Sequence, residues 1–327
     1  MYRAIVGDQL GPITNYALRD LPRRPLASGE VRVALRAVGI SYVDVLTAAG
    51  EYQVQPPVPF IPGSEAAGLV IETGPDVASL AEGDRVVCGG WHGLFAEECV
   101  LPQAAVTPIS PSLDLVEASV FPASFSTAWH ALVDRAQVQA SETVLVLGAG
   151  GATGYAAVQV AKLLGARVIA SASTSEKRAL AAAGGADVTV DAQAECWRDA
   201  VKAANGGKPV DVVFDPVGGA ATDQAFRSLG WRGRHLVIGF PGGIASLRTN
   251  LPLLKGASLM GVNIRDFYAF EPEKAARNMA KILELAGEGR LRPAIARTFA
   301  IEEYALAMAE AAKGESAGRI VLKIKPA

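Results

Sequence analysis

Between Glu142 and Gly165 the chain reads ETVLVLGAGGATGYAAVQVAKLLG, and its glycines are spaced to hold a pyrophosphate. The spacing is Ala149-x-Gly151-x-x-Gly154. Ala149 takes the tight-turn position where such fingerprints often carry glycine. Gly151, without a Cβ, lets the backbone approach two phosphates, and Gly154 lets a helix pack against the preceding strand. Gly150, Gly151, Ala152, Thr153 and Gly154 are therefore candidate dinucleotide contacts, because N–H groups at a helix start and the helix macrodipole favour anions. A glycine turn alone is common, so the flanks decide. Val144 to Leu147 is an aliphatic run suited to a strand buried on both faces. Ala156, Val160, Leu163 and Leu164 follow at helical spacing.

The next strand-like run, Arg167 to Ser171, leads into Ala172-Ser173-Thr174-Ser175-Glu176-Lys177-Arg178. Sites for NAD usually carry an acidic residue at this strand end to bind the ribose 2′-OH. Ala172 stands there instead. The Ser173 and Thr174 hydroxyls and the Lys177 and Arg178 cations suit a 2′-phosphate through charge-assisted hydrogen bonds, so NADPH is the expected cofactor. Glu176 offsets part of that charge, and solvated first-turn cations would give the same sequence.

The surrounding elements must position these residues. At 327 residues the chain is long for a single core, which predicts two domains. Half its residues are hydrophobic and the net charge is −2, which describes a soluble globular protein and not a nucleic-acid binder. Cys88, Cys99 and Cys196 form no Cys-x-x-Cys. No disulfide framework is expected, and a reducing cytoplasm suits the chain. The start, MYRAIVGDQLG, carries no secretory pattern, and no apolar run reaches the roughly 20 residues that span a bilayer, so no membrane is expected.

The first 110 residues or so read as short strands (Tyr2 to Val6, Val31 to Val38, Gly68 to Thr73, Arg85 to Cys88) between glycine and proline turns. Ser41 to Ala49 predicts a short helix ended by Gly50, followed by a proline loop. Glu117 to Arg135 is helical in pattern. Strands are then expected at Asp187 to Val190, Val210 to Phe214, Arg234 to Gly239 and Ser258 to Ile264, a rhythm that implies a doubly wound parallel sheet. After an amphipathic helix, Glu271 to Glu288, two strand-like runs break that rhythm: Ala294 to Phe299 and Arg319 to Ile324. They should return to the first domain. The expected division is residues 1–120 and 266–327 for the β-rich domain, with 121–265 inserted as the nucleotide domain.

Several blocks in order carry a resemblance: Pro62-Gly63-Ser64-Glu65-Ala66-Ala67-Gly68, Gly83-Asp84-Arg85-Val86, the glycine turn, Phe214-Asp215-Pro216-Val217-Gly218-Gly219, Leu254 to Val262, and Gly318-Arg319-Ile320-Val321-Leu322. Over nearly its whole length the chain resembles the medium-chain dehydrogenase/reductase superfamily, and within it the zinc-independent NADPH:quinone oxidoreductases. The resemblance implies an α/β fold, a GroES-like β-rich catalytic domain with an inserted Rossmann doubly wound parallel-sheet domain. Zinc-dependent relatives bind the metal through a cysteine, a histidine and a second cysteine. The matching positions here are Ser41, Ser64 and Ala123, none a normal zinc ligand, and only Cys88 and Cys99 stand where four structural cysteines would lie. No metal is expected.

With no Lewis acid to polarise a ketone, the hydride acceptor should already be electrophilic: a quinone or an activated α,β-unsaturated carbonyl. The resemblance assigns Tyr52 as proton donor or substrate orienter, and Ser41 to a position where relatives often carry an asparagine near the nicotinamide. It assigns Thr127 to the nicotinamide ribose or phosphate, Lys177 to the 2′-phosphate, and Gly239, Phe240, Val262 and Asn263 to the carboxamide. A tyrosine common after the third strand is missing from Val190-Asp191-Ala192. Arg265, Phe267, Tyr268 and Phe270 form a candidate cover for a flat apolar substrate. Two other readings stay open. One is an acryloyl- or enoyl-CoA thioester reductase, although no cluster of Lys and Arg announces a CoA site. The other is a non-catalytic, crystallin-like protein that only binds cofactor. Relatives are commonly joined as dimers through their cofactor domains, so a homodimer is expected.

Overall fold

Val31, Val33, Leu35, Ala37 and Val38 are buried along the strand Glu30–Ile40, whose side chains are covered on both faces. That strand centres a seven-stranded sheet in the computed structural model, which describes residues 1–325. The order across it is Ile295–Ala300, Arg319–Lys323, Glu30–Ile40, Glu65–Thr73, Arg85–Gly89 and Val106–Pro108, with Glu98–Pro102 also paired to Glu30–Ile40. The late strand Arg319–Lys323 runs antiparallel to Glu30–Ile40, so the end of the chain completes the sheet begun near its start. Tyr2–Gly7 and Tyr16–Leu21 form a separate antiparallel pair.

The second sheet is wholly parallel, in the order Val188–Asp191, Arg167–Ala172, Thr143–Val146, Val210–Asp215, Leu229–Val237, Ser258–Gly261. The order in which the chain adds strands reverses between Thr143–Val146 and Val210–Asp215, with successive strands running outward on either side. In such sheets ligands bind beyond the carboxyl ends of the strands at this switch point. The glycine turn and the Pro216–Gly219 loop leave from there.

The chain packs as two units, Met1–Ala123 with the chain from Met279 on, and Ser124–Asn278. The return to the first unit thus falls within the helix Pro272–Gly287 and not at residue 266. The reason is packing inside the second unit: Phe267 stacks on His130 at 3.9 Å, and Asn278 donates to Asp134 at 2.7 Å. The strand expected to reach Ile264 stops at Gly261, because Asn263 caps a new helix, Ile264–Phe270. The expected helix from Glu117 to Arg135 is broken into Leu115–Ala118, Phe121–Trp129 and a π-helical turn, His130–Arg135. Among the described residues, no helix is long and apolar enough to cross a membrane. All three cysteines are free thiols.

Candidate cofactor and active site

The glycine turn is shaped by contacts that exclude side chains. A Cβ on Gly154 would run into the Gly148 carbonyl and lie 2.9 Å from Ala149 Cα, so this glycine lets the helix Ala152–Leu163 sit directly on the turn. A Cβ on Gly150 would press against Lys177, 2.8 Å from its Cα. Gly150 therefore brings the turn against the first turn of the helix Ser175–Ala183. At Gly151 the nearest atom would be 3.3 Å away. Gly151 is also the N-cap, with no side chain closing the helix end. The first-turn N–H groups have no partner within a helix, so Ala152, Thr153 and Gly154 present amides suited to a phosphate.

Thr174 caps the next helix, accepting a hydrogen bond from the Lys177 amide at 3.2 Å. Ser173 and Lys177 are half-buried beside it. The structure separates the two cations that the sequence groups together. Arg178 donates to the Ala172 carbonyl at 3.1 Å and pairs with Asp191 at 3.2 Å, so its charge is already matched. Lys177 is the cation set against the glycine turn.

Gly239 and Phe240 follow the strand Leu229–Val237, with Phe240 exposed. Val262 is buried, and its amide donates to the Val237 carbonyl at 3.0 Å. The Asn263 side chain is engaged as a cap, accepting from the Asp266 amide at 3.2 Å and donating to its carboxylate at 2.7 Å. Any carboxamide contact from Asn263 then falls to its backbone. Thr127 is half-buried on Phe121–Trp129, and the neighbouring Ser126 hydroxyl accepts from Tyr268 at 3.0 Å. Of the four residues read as a substrate cover, Phe267 is buried and Tyr268 is bonded within the unit, while Phe270 is 81% exposed. Arg265 is half-buried.

In the first unit, Ser41 is the N-cap of Tyr42–Ala49 and forms a capping box with Asp44. Its hydroxyl donates to Asp44 Oδ2 at 2.6 Å, and its amide donates to the same oxygen at 2.7 Å. With its proton committed, Ser41 can offer a ligand only acceptor lone pairs. Tyr52 is half-buried on the loop after Gly50, where its amide returns to the Leu46 carbonyl at 3.2 Å. Tyr42 is 43% exposed. A buried charged group lies nearby in the fold of this unit, and sequence reasoning missed it. Glu65 pairs with Arg319 and accepts from the Ala123 amide at 2.8 Å. Burial raises the Asp44 carboxyl, against hydrogen bonds from Ser41 and Ser64. Burial also pushes Glu65 up to about 7, against the pull of Arg319 and the Ala123 amide.

Residues 27–111 match the family described as alcohol dehydrogenase GroES-like domain, and residues 152–281 the family described as zinc-binding dehydrogenase. A Mus musculus protein named quinone oxidoreductase-like protein 2 is 37% identical across 99% of this chain and 93% of its own. The chain is a quinone oxidoreductase-like member of the medium-chain dehydrogenase/reductase superfamily. Two solved structures share the whole fold of this medium-chain reductase. One is a probable oxidoreductase from Mycobacterium abscessus, 34% identical over 98% of both chains, with a TM-score of 0.90. The other is a mycobacterial protein solved in complex with NADPH, 26% identical over 99% of this chain and 100% of that one, with a TM-score of 0.89.

Membership makes this protein an oxidoreductase. The zinc in the second family description does not fit its donors. Ser41 is spent on Asp44, Ala123 has no donor side chain, and among the described residues no group of three or more His, Cys, Asp or Glu is arranged to hold a metal.

Proposed function

We propose that this medium-chain reductase uses NADPH, without zinc, to reduce a quinone or an activated α,β-unsaturated carbonyl. The observation that carries the reading is the glycine turn whose N-cap, Gly151, leaves the helix end without a capping side chain, with Lys177 set against it through Gly150. NADPH, when bound, supplies the hydride. The amides of Gly150, Ala152, Thr153 and Gly154 bind its pyrophosphate, with Gly151 allowing its close approach, and Ser173, Thr174 and Lys177 take the 2′-phosphate. Thr127 and the backbones of Gly239, Phe240, Val262 and Asn263 orient the nicotinamide end. Ser41 accepts a hydrogen bond from a ligand hydroxyl. Tyr52 donates to the acceptor oxygen as negative charge develops on it, which lowers the barrier more than it tightens binding. The mouse relative's name and the NADPH bound to the mycobacterial neighbour support this assignment.

The test is NADPH oxidation across a panel of quinones, enones and enoyl thioesters, repeated with Tyr52→Phe. Losing one donor to a developing oxyanion is expected to lower kcat about 10- to 30-fold. The dissociation constant for NADPH should stay within about twofold, because the phenol touches the acceptor and not the cofactor. An unchanged kcat would remove the phenol from the mechanism.

We also propose a homodimer formed through the second unit. Among the described residues its edge strand Ser258–Gly261 pairs on one side only, and Trp231, Leu253 and Leu254 stand 79%, 81% and 72% exposed close to it in the fold. Exposed apolar clusters of this kind mark interaction surfaces. Light scattering should report twice the chain mass.

A further inference from the structure

Asp215 ends the strand Val210–Asp215 and is 1% exposed, yet its carboxylate accepts four hydrogen bonds. Oδ1 takes the amides of Val217 at 3.0 Å and Gly218 at 2.8 Å. Oδ2 takes the Thr222 hydroxyl at 2.7 Å and His235 Nε2 at 3.0 Å. Burial pushes this carboxyl up, but the bonds from His235, Gly218 and Thr222 outweigh it and hold the group below the usual carboxylate range. His235 is fully buried beside the Phe226 ring, and its Nδ1 has no hydrogen-bond partner among the described residues. A carboxylate only accepts, so Nε2 carries the proton in this pair. An unsatisfied buried nitrogen is costly, and such exceptions tend to persist where the structure needs them.

Three segments meet around Asp215, one at its backbone carbonyl and one through the loop its carboxylate organises. The Asp215 carbonyl accepts from the Ile238 amide at 2.9 Å, one residue before Gly239. The loop that Oδ1 organises bonds onward to the segment after Phe240, through Gly242 N to Val217 O at 2.8 Å and Gly219 N to Gly243 O at 2.7 Å. Gly218 and Gly219, at φ 74° and 60°, supply the left-handed backbone those contacts require. On its other side, Val217 packs against the glycine turn, 3.0 Å from where a Gly148 Cβ would stand.

We propose that Asp215, held by His235 and Thr222, is a positioning residue that fixes the Val217–Gly219 and Gly239–Gly243 loops for the nicotinamide half of the dinucleotide, an inference that rests on the cofactor reading above. The adenosine half depends instead on Ser173, Thr174 and Lys177, which stand at a different strand end and on a different helix from the Asp215 network. The two halves should therefore respond differently.

The test compares dissociation constants for NADPH and for 2′,5′-ADP, which lacks the nicotinamide, on the purified full chain. Asp215→Ala should weaken NADPH at least tenfold and leave 2′,5′-ADP within about threefold. Asp215→Asn should bind NADPH within about threefold of the parent. Its amide oxygen can accept both backbone N–H groups, while its nitrogen donates to Thr222 and to His235 in the other tautomer. Thr222→Val removes one of the four bonds and should weaken NADPH about five- to tenfold, and it serves if Asp215→Ala does not fold. Equal loss of both ligands would overturn the proposal, since a merely structural role predicts that. So would parental NADPH binding by the alanine or valine variant. A parent chain that binds neither ligand would refute the cofactor reading itself.

Discussion

Arg319→Met is expected to destabilise the protein by about 3–5 kcal/mol well above pH 7, where it leaves the ionised Glu65 carboxylate buried without its cation. Glu65 is fully buried and paired to Arg319, with one oxygen on the Ala123 amide. Burial already raises its carboxyl from 4.5 to about 7. Because the folded value lies above the unfolded one, the stability tied to this proton is complete below about pH 4.5 and is lost as pH rises through 7. Without Arg319 the folded value moves higher still, so the penalty should deepen above pH 7 and shrink toward pH 5. Adding Glu65→Gln removes the orphaned charge and should recover part of the loss. Urea denaturation of the parent, the single and the double variant at two pH values measures all of this. A flat pH response from Arg319→Met would show that Glu65 does not need its partner.

Gly154→Val should weaken NADPH by about 100-fold, or about 2.7 kcal/mol. Any Cβ at this position meets the Gly148 carbonyl and the Ala149 Cα, and neither can move without pulling the strand Thr143–Val146 with it. The helix start must back away, and the amides that face the phosphates leave with it. Gly151→Ala is the informative contrast. Its Cβ would stand 3.3 Å from the Gly148 carbonyl oxygen, a tight contact that a shift of a few tenths of an ångström relieves, so the fold should lose far less than in Gly154→Val while the phosphates are crowded. Cofactor titration read beside thermal denaturation separates the two effects. Normal NADPH affinity in Gly154→Val would mean that the turn is not the binding site.

The parts legible in sequence were those whose cause is local. The glycine turn, the αL Gly50 that ends Tyr42–Ala49, and the parallel strands each follow from a few adjacent residues. The helix Ile264–Phe270 was hidden because Ser258 to Ile264 reads as one apolar run. Asn263-x-x-Asp266 is a capping signature that would have exposed it. Ser41-x-x-Asp44 is a signature of the same kind, and it changes Ser41 from a free hydroxyl to one already donating. The Glu65–Arg319 pair joins residues 254 apart in the chain, and no local pattern encodes such a contact. Arg178 shows the same limit. Its neighbour in sequence is Lys177, but its partner in space is Asp191.

The central claim is hydride transfer that depends on NADPH and not on a metal. The most direct measurement is the rate of NADPH consumption with a quinone or enone by protein dialysed exhaustively against a strong zinc chelator. The predicted result is a rate equal to that of the untreated protein. A rate that disappears on chelation and returns when zinc is restored would contradict the account.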